Sequence, residues 1–126
     1  MGDFNDEPFN RSITDYALST GSLLKAKLAD SPRFYNLMWN LMTNSTGTFY
    51  FNNFPNVLDQ FMISKGIVLE KGFKIKKLST NIIKFPEMIE GKYKTPIKFG
   101  RPSDDSLNEK GFSDHFPITV TLEETP

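Results

Sequence analysis

The sequence predicts an α+β domain over residues 1–126, in which strands predominate over two short helices. Segments rich in aromatic and β-branched residues recur after residue 46, and several alternate between apolar and polar positions. Helical periodicity is confined to residues before 43. With 126 residues the chain has the length of one domain, and its 12 phenylalanines predict an aromatic-rich core.

Two helices are predicted in the first third of the chain. Residues 12–18 place their apolar side chains on one face, and Ser12 and Asp15 have the spacing of a capping box. The sequence "TGS" at residues 20–22 ends this helix. A second helix is predicted after Pro32, where apolar residues follow the i, i+3, i+4, i+7, i+8 pattern: Phe34, Leu37, Met38, Leu41 and Met42.

A hairpin is predicted next. Residues 47–51, "GTFYF", alternate and are aromatic, which is typical of a strand. Residues 52–56, "NNFPN", have the composition of a turn. Residues 57–64, "VLDQFMIS", are apolar on both faces, as in a central strand. The two strands and the turn together predict the hairpin.

The second half of the chain predicts two or three further strands. Residues 73–85 hold one or two of them. Residues 86–111 contain three prolines and three glycines and are predicted to be mostly loop. Residues 116–122, "FPITVTL", alternate with Phe116, Ile118, Val120 and Leu122 on one face, which indicates a half-buried strand.

Composition excludes several classes of protein. The chain has no cysteine, which excludes disulfides and thiolate metal sites. No apolar run is long enough to span a membrane and no signal peptide is recognisable, so the cytoplasm is the default expected location. The formal net charge is zero, so bulk charge does not indicate non-specific binding to nucleic acid.

Charge is nevertheless uneven along the chain. The segment from Glu70 to Gly111 contains six acidic and ten basic residues. The basic residues are Lys71, Lys74, Lys76, Lys77, Lys84, Lys92, Lys94, Lys98, Arg101 and Lys110. A solvated, lysine-decorated edge is the simpler interpretation. A rim that faces phosphate groups is the alternative.

Asp59 is the first polar residue whose position calls for an explanation. In "VLDQFMIS" it shares a face with Val57, Phe61 and Ile63, where a carboxylate is costly unless it is paired. It either pairs with a nearby lysine or backbone donors for purely structural reasons, or orients another catalytic group.

The segment "GFSDHFP", residues 111–117, contains the only histidine of the chain. Asp114 and His115 are adjacent in an extended stretch, so their side chains point to opposite sides and each needs its own partner. Asp59 is the candidate partner of His115, as the carboxylate of an Asp–His pair. A structural histidine is the alternative.

The segment "GDFND", residues 2–6, places Asp3 and Asn5 two positions apart, so an extended backbone would point both side chains the same way. A carboxylate and an amide on one side could position a water molecule and hold a phosphoryl oxygen. An ordinary turn is the alternative, because Asp, Asn and Gly are turn residues.

The order "GDFN", "LDQF" and near-terminal "SDHFP", with "GTFYF" ahead of the Asp strand, resembles the endonuclease/exonuclease/phosphatase superfamily, whose fold is DNase I-like. By this resemblance Asp3 positions or deprotonates the attacking water, and Asn5 contacts the scissile phosphate. His115 stabilises charge on the phosphoryl group, and Asp59 hydrogen-bonds this histidine. Asp114 belongs to the divalent-metal region. The resemblance implies Mg²⁺ or Mn²⁺ held by oxygen ligands, with a phosphate ester of nucleic acid, phospholipid or sugar as the substrate.

The resemblance covers the C-terminal half of the family domain, a two-layer β-sandwich of about twice this length with flanking short helices. The first half normally supplies an Asn and a Glu for the metal, and the strand that leads into "GDFN". The chain is therefore expected to be the C-terminal part of a phosphoesterase, or to form a homodimer through the surface that the first half would cover. The alternatives are a catalytically inert remnant or dimerising interaction module of the same fold, and a structural domain with coincidental motifs.

Overall fold

Short strands make up most of the regular structure in the computed structural model, which describes residues 1–43, 45–100, 103 and 105–126. The strands are β1 (Gly2–Asp3), β2 (Ser19–Thr20), β3 (Phe34–Asn36), β4 (Phe49–Phe51), β5 (Phe54–Asn56), β6 (Asp59–Gln60), β7 (Met62–Ile63), β8 (Phe73–Ile75), β9 (Asn81–Ile82), β10 (Ile89–Glu90), β11 (Thr95–Pro96), β12 (Ile118–Thr119) and β13 (Leu122–Glu124). The helical elements are a π-helical turn (Ser12–Tyr16), α1 (Leu23–Leu28), a 3-10 turn (Leu37–Leu41), α2 (Lys65–Val68) and a second 3-10 turn (Pro86–Met88). Few helices and several small sheets confirm the α+β class.

The strands form small sheets rather than one large one. Five antiparallel pairs are present in the described chain: β1 with β6, β4 with β5, β8 with β13, β9 with β12, and β10 with β11. A three-stranded sheet has the order β2-β3-β7, with β2 parallel and β7 antiparallel to β3. None of the helices in the described part of the chain combines the length and the apolar character needed to cross a bilayer.

The first predicted helix is a single π-helical turn, closed by a hydrogen bond from the Ala17 N–H to the Ser12 carbonyl. The predicted capping box is absent, because the Ser12 hydroxyl donates to Asp6 at 2.6 Å instead. Asp15 accepts from Arg11, and this bond together with one from Thr14 lowers the pKa of Asp15 below its ordinary value.

The "TGS" segment, predicted to end the first helix, starts another one instead, because the π-helical turn already ends at Tyr16 and strand β2 follows. The hydroxyl of Ser22 accepts a hydrogen bond from the Lys25 N–H, which caps α1, a helix that the sequence pattern did not predict. Helix α2 was also not predicted.

The prediction of a second helix is wrong for residues 34–36, which form a strand. The rest of the predicted helix is a short 3-10 turn, Leu37–Leu41. Its apolar spacing is helical, but Phe34–Asn36 is hydrogen-bonded between β2 and β7 as strand β3. The buried Asn36 side chain then accepts from the Met38 N–H at 2.9 Å and begins the 3-10 turn. Strand pairing and this cap override the helical periodicity in these residues.

The predicted hairpin exists with a different second strand. The first strand, β4, lies inside residues 47–51, but it pairs with β5, which occupies most of the predicted turn. Asn52 and Asn53 make the turn with φ of 48° and 66°, the left-handed pair that favours a tight hairpin. The predicted central strand is divided into β6 and β7, because β6 pairs with β1 and β7 with β3.

The later elements follow the predictions in part. Residues 73–85 contain two strands, β8 and β9, as expected. The single strand predicted over residues 116–122 is two, because β12 pairs with β9 and β13 with β8. The predicted loop over residues 86–111 contains a 3-10 turn and the β10–β11 pair. Arg101, Pro102 and Asp104, part of that loop and of the charged segment, lie outside the described residues.

The core is small and mostly aliphatic, which corrects the expectation of an aromatic-rich interior. Its apolar members are Ile13, Ala26, Leu37, Met38, Tyr50, Val57 and Phe116. Tyr50 and Phe116 meet edge to face with ring centroids 6.1 Å apart. Nine of the 12 phenylalanines are exposed, so most of the aromatic content lies on the surface of this chain.

Candidate functional site

The pairing of β1 with β6 brings two of the predicted site carboxylates together. Asp3 lies opposite Asp59 in the antiparallel register, and Gly2 lies opposite Gln60. Directly opposed residues point to the same side of a sheet, so both carboxylates reach one face. The first strand is thereby held by the Asp59 strand itself.

His115 lies between these two carboxylates. Its Nδ1 atom is 2.7 Å from Asp59 Oδ2, a hydrogen bond, and its Nε2 atom is 4.0 Å from Asp3 Oδ2. The side chain of Asp59 is 17% exposed, that of His115 is 21% and that of Asp3 is 40%, so the group opens to solvent on the Asp3 side. The Asp59–His115 pairing predicted from the sequence is present, and the catalytic roles remain predictions.

His115 is held from the other side by strand β4. Phe49 forms an antiparallel bridge with His115, and the two rings lie 4.9 Å apart with a tilt of 34°. The ammonium group of Lys98 lies 5.4 Å from the centre of the Phe49 ring. An aromatic face therefore limits the movement of the imidazole, and a cation lies next to that aromatic ring.

Asn5 adopts a left-handed backbone conformation with φ of 52°, which asparagine tolerates better than most residues. Its N–H donates to Asp3 Oδ1 at 2.8 Å. This turn fixes one oxygen of the Asp3 carboxylate and leaves Oδ2 toward His115. The Asn5 residue is exposed beside the group.

Asp114 is half-buried and is not a member of the group that the structure brings together. In the described residues, that group consists of Asp3, Asp59 and His115, which offer ligand atoms within 4.8 Å of one another. The assignment of Asp114 to a metal remains a prediction.

A second layer of buried polar side chains ties "GDFNDEP" to the Asp59 strand. Gln60 is fully buried, and its amide donates to the carbonyls of Asp6 and Val57 at 2.9 and 2.8 Å. The Gln60 oxygen accepts from Asn36 at 2.9 Å. The carboxylate of Glu7 accepts from the Asn56 side chain and the Val57 N–H. These bonds fix the position of β1 against β6.

Sequence reasoning missed these supporting residues. Gln60 carried a signal, since a polar residue in a strand of apolar neighbours needs a partner. The same pattern at Asp59 predicts a partner, and Gln60 is the next residue of that strand. Glu7 carried none, because it follows Asn5 and Asp6 in a polar segment outside any predicted strand.

The carboxylates fit a hard divalent cation. Asp59 Oδ2 is hydrogen-bonded to His115, and Asp3 Oδ1 accepts from the Asn5 N–H. Oδ1 of Asp59 and Oδ2 of Asp3 therefore remain available as oxygen ligands. Mg²⁺ is commonly bound through one or two carboxylates with waters completing its coordination. Asp3 and Asp59 could supply that minimum.

The basic segment is divided between structural and exposed lysines. Lys84 donates to the Tyr50 hydroxyl at 2.7 Å and lies over the rings of Tyr50 and Phe116, and Lys74 lies 3.8 Å from Glu123. These two lysines therefore serve packing and pairing. Lys98 is the lysine that approaches the site through an aromatic contact.

Fold and site together define a class: an α+β protein with an Asp–His pair and a second carboxylate facing the same imidazole, a set suited to hydrolytic chemistry. The chain belongs to the endonuclease/exonuclease/phosphatase family, whose model matches residues 1–124. The resemblance seen in the sequence is confirmed. Comparisons with the curated proteins and with the solved structures found no significant match.

Proposed function

We propose that this chain is the C-terminal part of a divalent-metal-dependent phosphoesterase that hydrolyses phosphodiester or phosphomonoester bonds. The observation that carries the proposal is the alignment of Asp59, His115 and Asp3, with the imidazole between the two carboxylates. Family membership supports a hydrolase of the endonuclease, exonuclease or phosphatase type.

The hydrogen bond between Asp59 and His115 determines what the histidine can do. With Nδ1–H donating to Asp59, the ring presents Nε2 on the Asp3 side, where it can bear a proton or accept one. Protonated Nε2 donates to a phosphoryl oxygen and stabilises the negative charge that develops there. Asp59 orients the ring through its Oδ2 atom.

Asp3 is the residue proposed to position the attacking water and accept its proton. Its Oδ2 atom is 4.0 Å from His115 Nε2, so one water can lie within hydrogen-bond reach of both atoms, at about 2.8 Å from each. Asn5 follows on the exposed side, and its side-chain amide is proposed to contact the scissile phosphate. The two roles are distinct, because Asp3 handles a proton and Asn5 holds an oxygen.

Asp3 and Asp59 would hold the Mg²⁺ or Mn²⁺ ion, with Asp114 as the further ligand that the resemblance implies. When bound, the ion supplies Lewis acidity that neutralises charge on the phosphoryl oxygens. The proposal places the chain in a DNase I-like sandwich whose other half provides further ligands. The phosphate ester belongs to a nucleic acid, a phospholipid or a sugar phosphate.

The test compares the wild-type chain with His115→Ala and Asp3→Asn on bis-p-nitrophenyl phosphate and plasmid DNA, with Mg²⁺ or Mn²⁺ and with EDTA. Asp30→Asn is the matched control for Asp3→Asn, since Asp30 is exposed and lies outside the site. We expect metal-dependent cleavage that is lost in both site variants and retained in the control. Equal activity in His115→Ala and wild type would reject the proposal.

A second candidate function is an interaction module of the same fold without turnover. Exposed apolar side chains favour it, among them Leu24, Leu28, Phe51 and Phe54 at 65%, 66%, 65% and 74% exposure. Such surface is suited to a second copy of the chain or to a separate half of the domain. Absence of Mn²⁺ binding by calorimetry, together with stable association in light scattering, would favour this candidate over the enzyme.

A further inference from the structure

Thr48 is a fully buried polar residue at the point where the Asp59 and His115 segments meet. Its hydroxyl oxygen accepts hydrogen bonds from two consecutive backbone N–H groups, that of Leu58 at 3.0 Å and that of Asp59 at 3.2 Å. It thus contacts the backbone of the residue whose carboxylate binds His115.

The backbone of Thr48 makes the second connection. Its carbonyl accepts from the Phe116 N–H at 2.7 Å, and the next residue, Phe49, forms the bridge with His115. Its N–H donates to the Asn56 carbonyl at 2.8 Å. One residue is therefore bonded to the Asp59 segment through its side chain and to the His115 segment through its main chain.

The chemistry of this position requires a hydroxyl group. Two N–H donors converge on one oxygen and occupy both of its lone pairs. The hydroxyl itself donates to the Asn56 carbonyl, with 3.5 Å between the two oxygen atoms. Valine has the same shape and offers no acceptor, so it would leave two buried donors without their partner. Serine keeps the acceptor and removes only a methyl group.

We propose that Thr48 is a positioning residue that holds Asp59 in register with His115. The effect of Thr48 on turnover rests on the proposed phosphoesterase function. Its effect on the Asp59–His115 hydrogen bond does not depend on that function. The hydrogen bonds of the buried Thr48 hydroxyl join it to backbone groups in the described chain. Thr48 acts through the Asp59–His115 hydrogen bond, so its loss should lengthen or break that bond while the fold persists.

The test compares wild type with Thr48→Val and Thr48→Ser by proton NMR of the His115 imidazole. The Nδ1–H proton, held by Asp59, is expected as a downfield, slowly exchanging signal in wild type and in Thr48→Ser, and to be lost in Thr48→Val. Ser19→Ala is the matched control, because Ser19 is buried and its hydroxyl has no hydrogen-bond partner among the described residues. Circular dichroism establishes that each variant is folded.

A retained signal in folded Thr48→Val would overturn the proposal, as would its loss in Ser19→Ala. If Thr48→Val does not fold, amide hydrogen exchange of the wild-type chain decides: slow exchange of the Leu58 and Asp59 N–H groups supports the proposal, and fast exchange overturns it. In activity assays we expect kcat to fall about 10- to 100-fold in Thr48→Val with KM unchanged. An inactive wild type would reject the phosphoesterase function and leave the NMR comparison intact.

Discussion

Asp59 is a half-buried carboxylate whose environment accounts for its placement. Removing a carboxylate from water is costly unless hydrogen bonds replace those of the solvent, and the 2.7 Å bond to His115 Nδ1 provides one. Oδ2 is used by the histidine, and Oδ1 remains for another partner. One side chain can therefore orient the imidazole and also take part in holding a cation.

Replacing Asp59 with asparagine tests whether the carboxylate orients His115, because the size of the side chain stays the same. Asn keeps the size and one acceptor, but its amide group can donate to Nδ1 and stabilise the opposite tautomer, with the proton on Nε2. We expect kcat for bis-p-nitrophenyl phosphate to fall about 10- to 100-fold. The measurement is steady-state kinetics beside the Asp30→Asn control. Unchanged turnover in Asp59→Asn would show that this carboxylate does not orient the histidine.

At the scale of residues, the sequence predicts the Asp–His pair but not the residues whose hydrogen bonds hold the pair in place. The chain has one histidine and one carboxylate amid a predicted central strand, so few pairings were available. Thr48 lies in the predicted strand 47–51, where threonine is a common residue, and Asn56 lies in the predicted turn 52–56, where polar residues are typical. Their buried hydrogen bonds depend on which strands meet, and periodicity within a single segment does not contain that information.

At the scale of elements, the sequence predicts which segments are strands better than it predicts which strands pair with each other. The shortness of the strands is the reason. The alternating residues 47–51 contain β4, and residues 73–85 contain β8 and β9. The partners of β6 and β7 come from residues before 37, at long range along the chain. A strand of two or three residues carries too few side chains for its pattern to specify a partner.

Gly21, two residues before α1, lies against Trp39 of the 3-10 turn Leu37–Leu41, and an added Cβ atom would lie 2.5 Å from Cγ of the indole. Gly21→Ala must therefore displace the ring, and we expect a loss of about 1–3 kcal/mol in the free energy of unfolding. Urea titration measures this loss, and the fluorescence of Trp39, the only tryptophan, reports the displacement.

Gly66→Ala is the matched control for Gly21→Ala. Gly66 lies in helix α2, and its added Cβ would meet only Ser64 Oγ at an ordinary 3.6 Å. Alanine is a better helix former than glycine, so this variant should gain about 0.5–1 kcal/mol. Equal stability of the two variants would show that Gly21 and Trp39 do not pack as described.

At the scale of the whole molecule, more large apolar residues of the described chain are exposed than are buried in its small core. An open groove of about 530 Å³ lies away from the Asp3–Asp59–His115 group, and its apolar lining includes Leu23, Leu41, Ile63, Ile67 and Leu78. Lysines at residues 74, 76 and 77 line it as well. We expect self-association through this groove, because the hydrophobic effect favours it in proportion to the apolar area removed from water.

Leu78 allows this association to be tested without damage to the fold. It lines the groove, its side chain is 99% exposed, and its φ is 57°, a left-handed conformation that glycine adopts without steric cost. Leu78→Gly should therefore leave the monomer about as stable as wild type while weakening self-association through the groove. Light scattering coupled to size-exclusion chromatography over a range of concentrations measures the effect.

Leu18→Gly is the matched control for Leu78→Gly. Leu18 is also an exposed leucine in the left-handed region, with φ of 51° and 42% exposure, and it does not line the groove. Association that weakens in Leu78→Gly and not in Leu18→Gly assigns it to the groove, because the two substitutions remove the same side chain from the same backbone conformation. Equal weakening in both variants would point to non-specific apolar contact, and a wild-type chain that remains monomeric at every concentration would contradict association altogether.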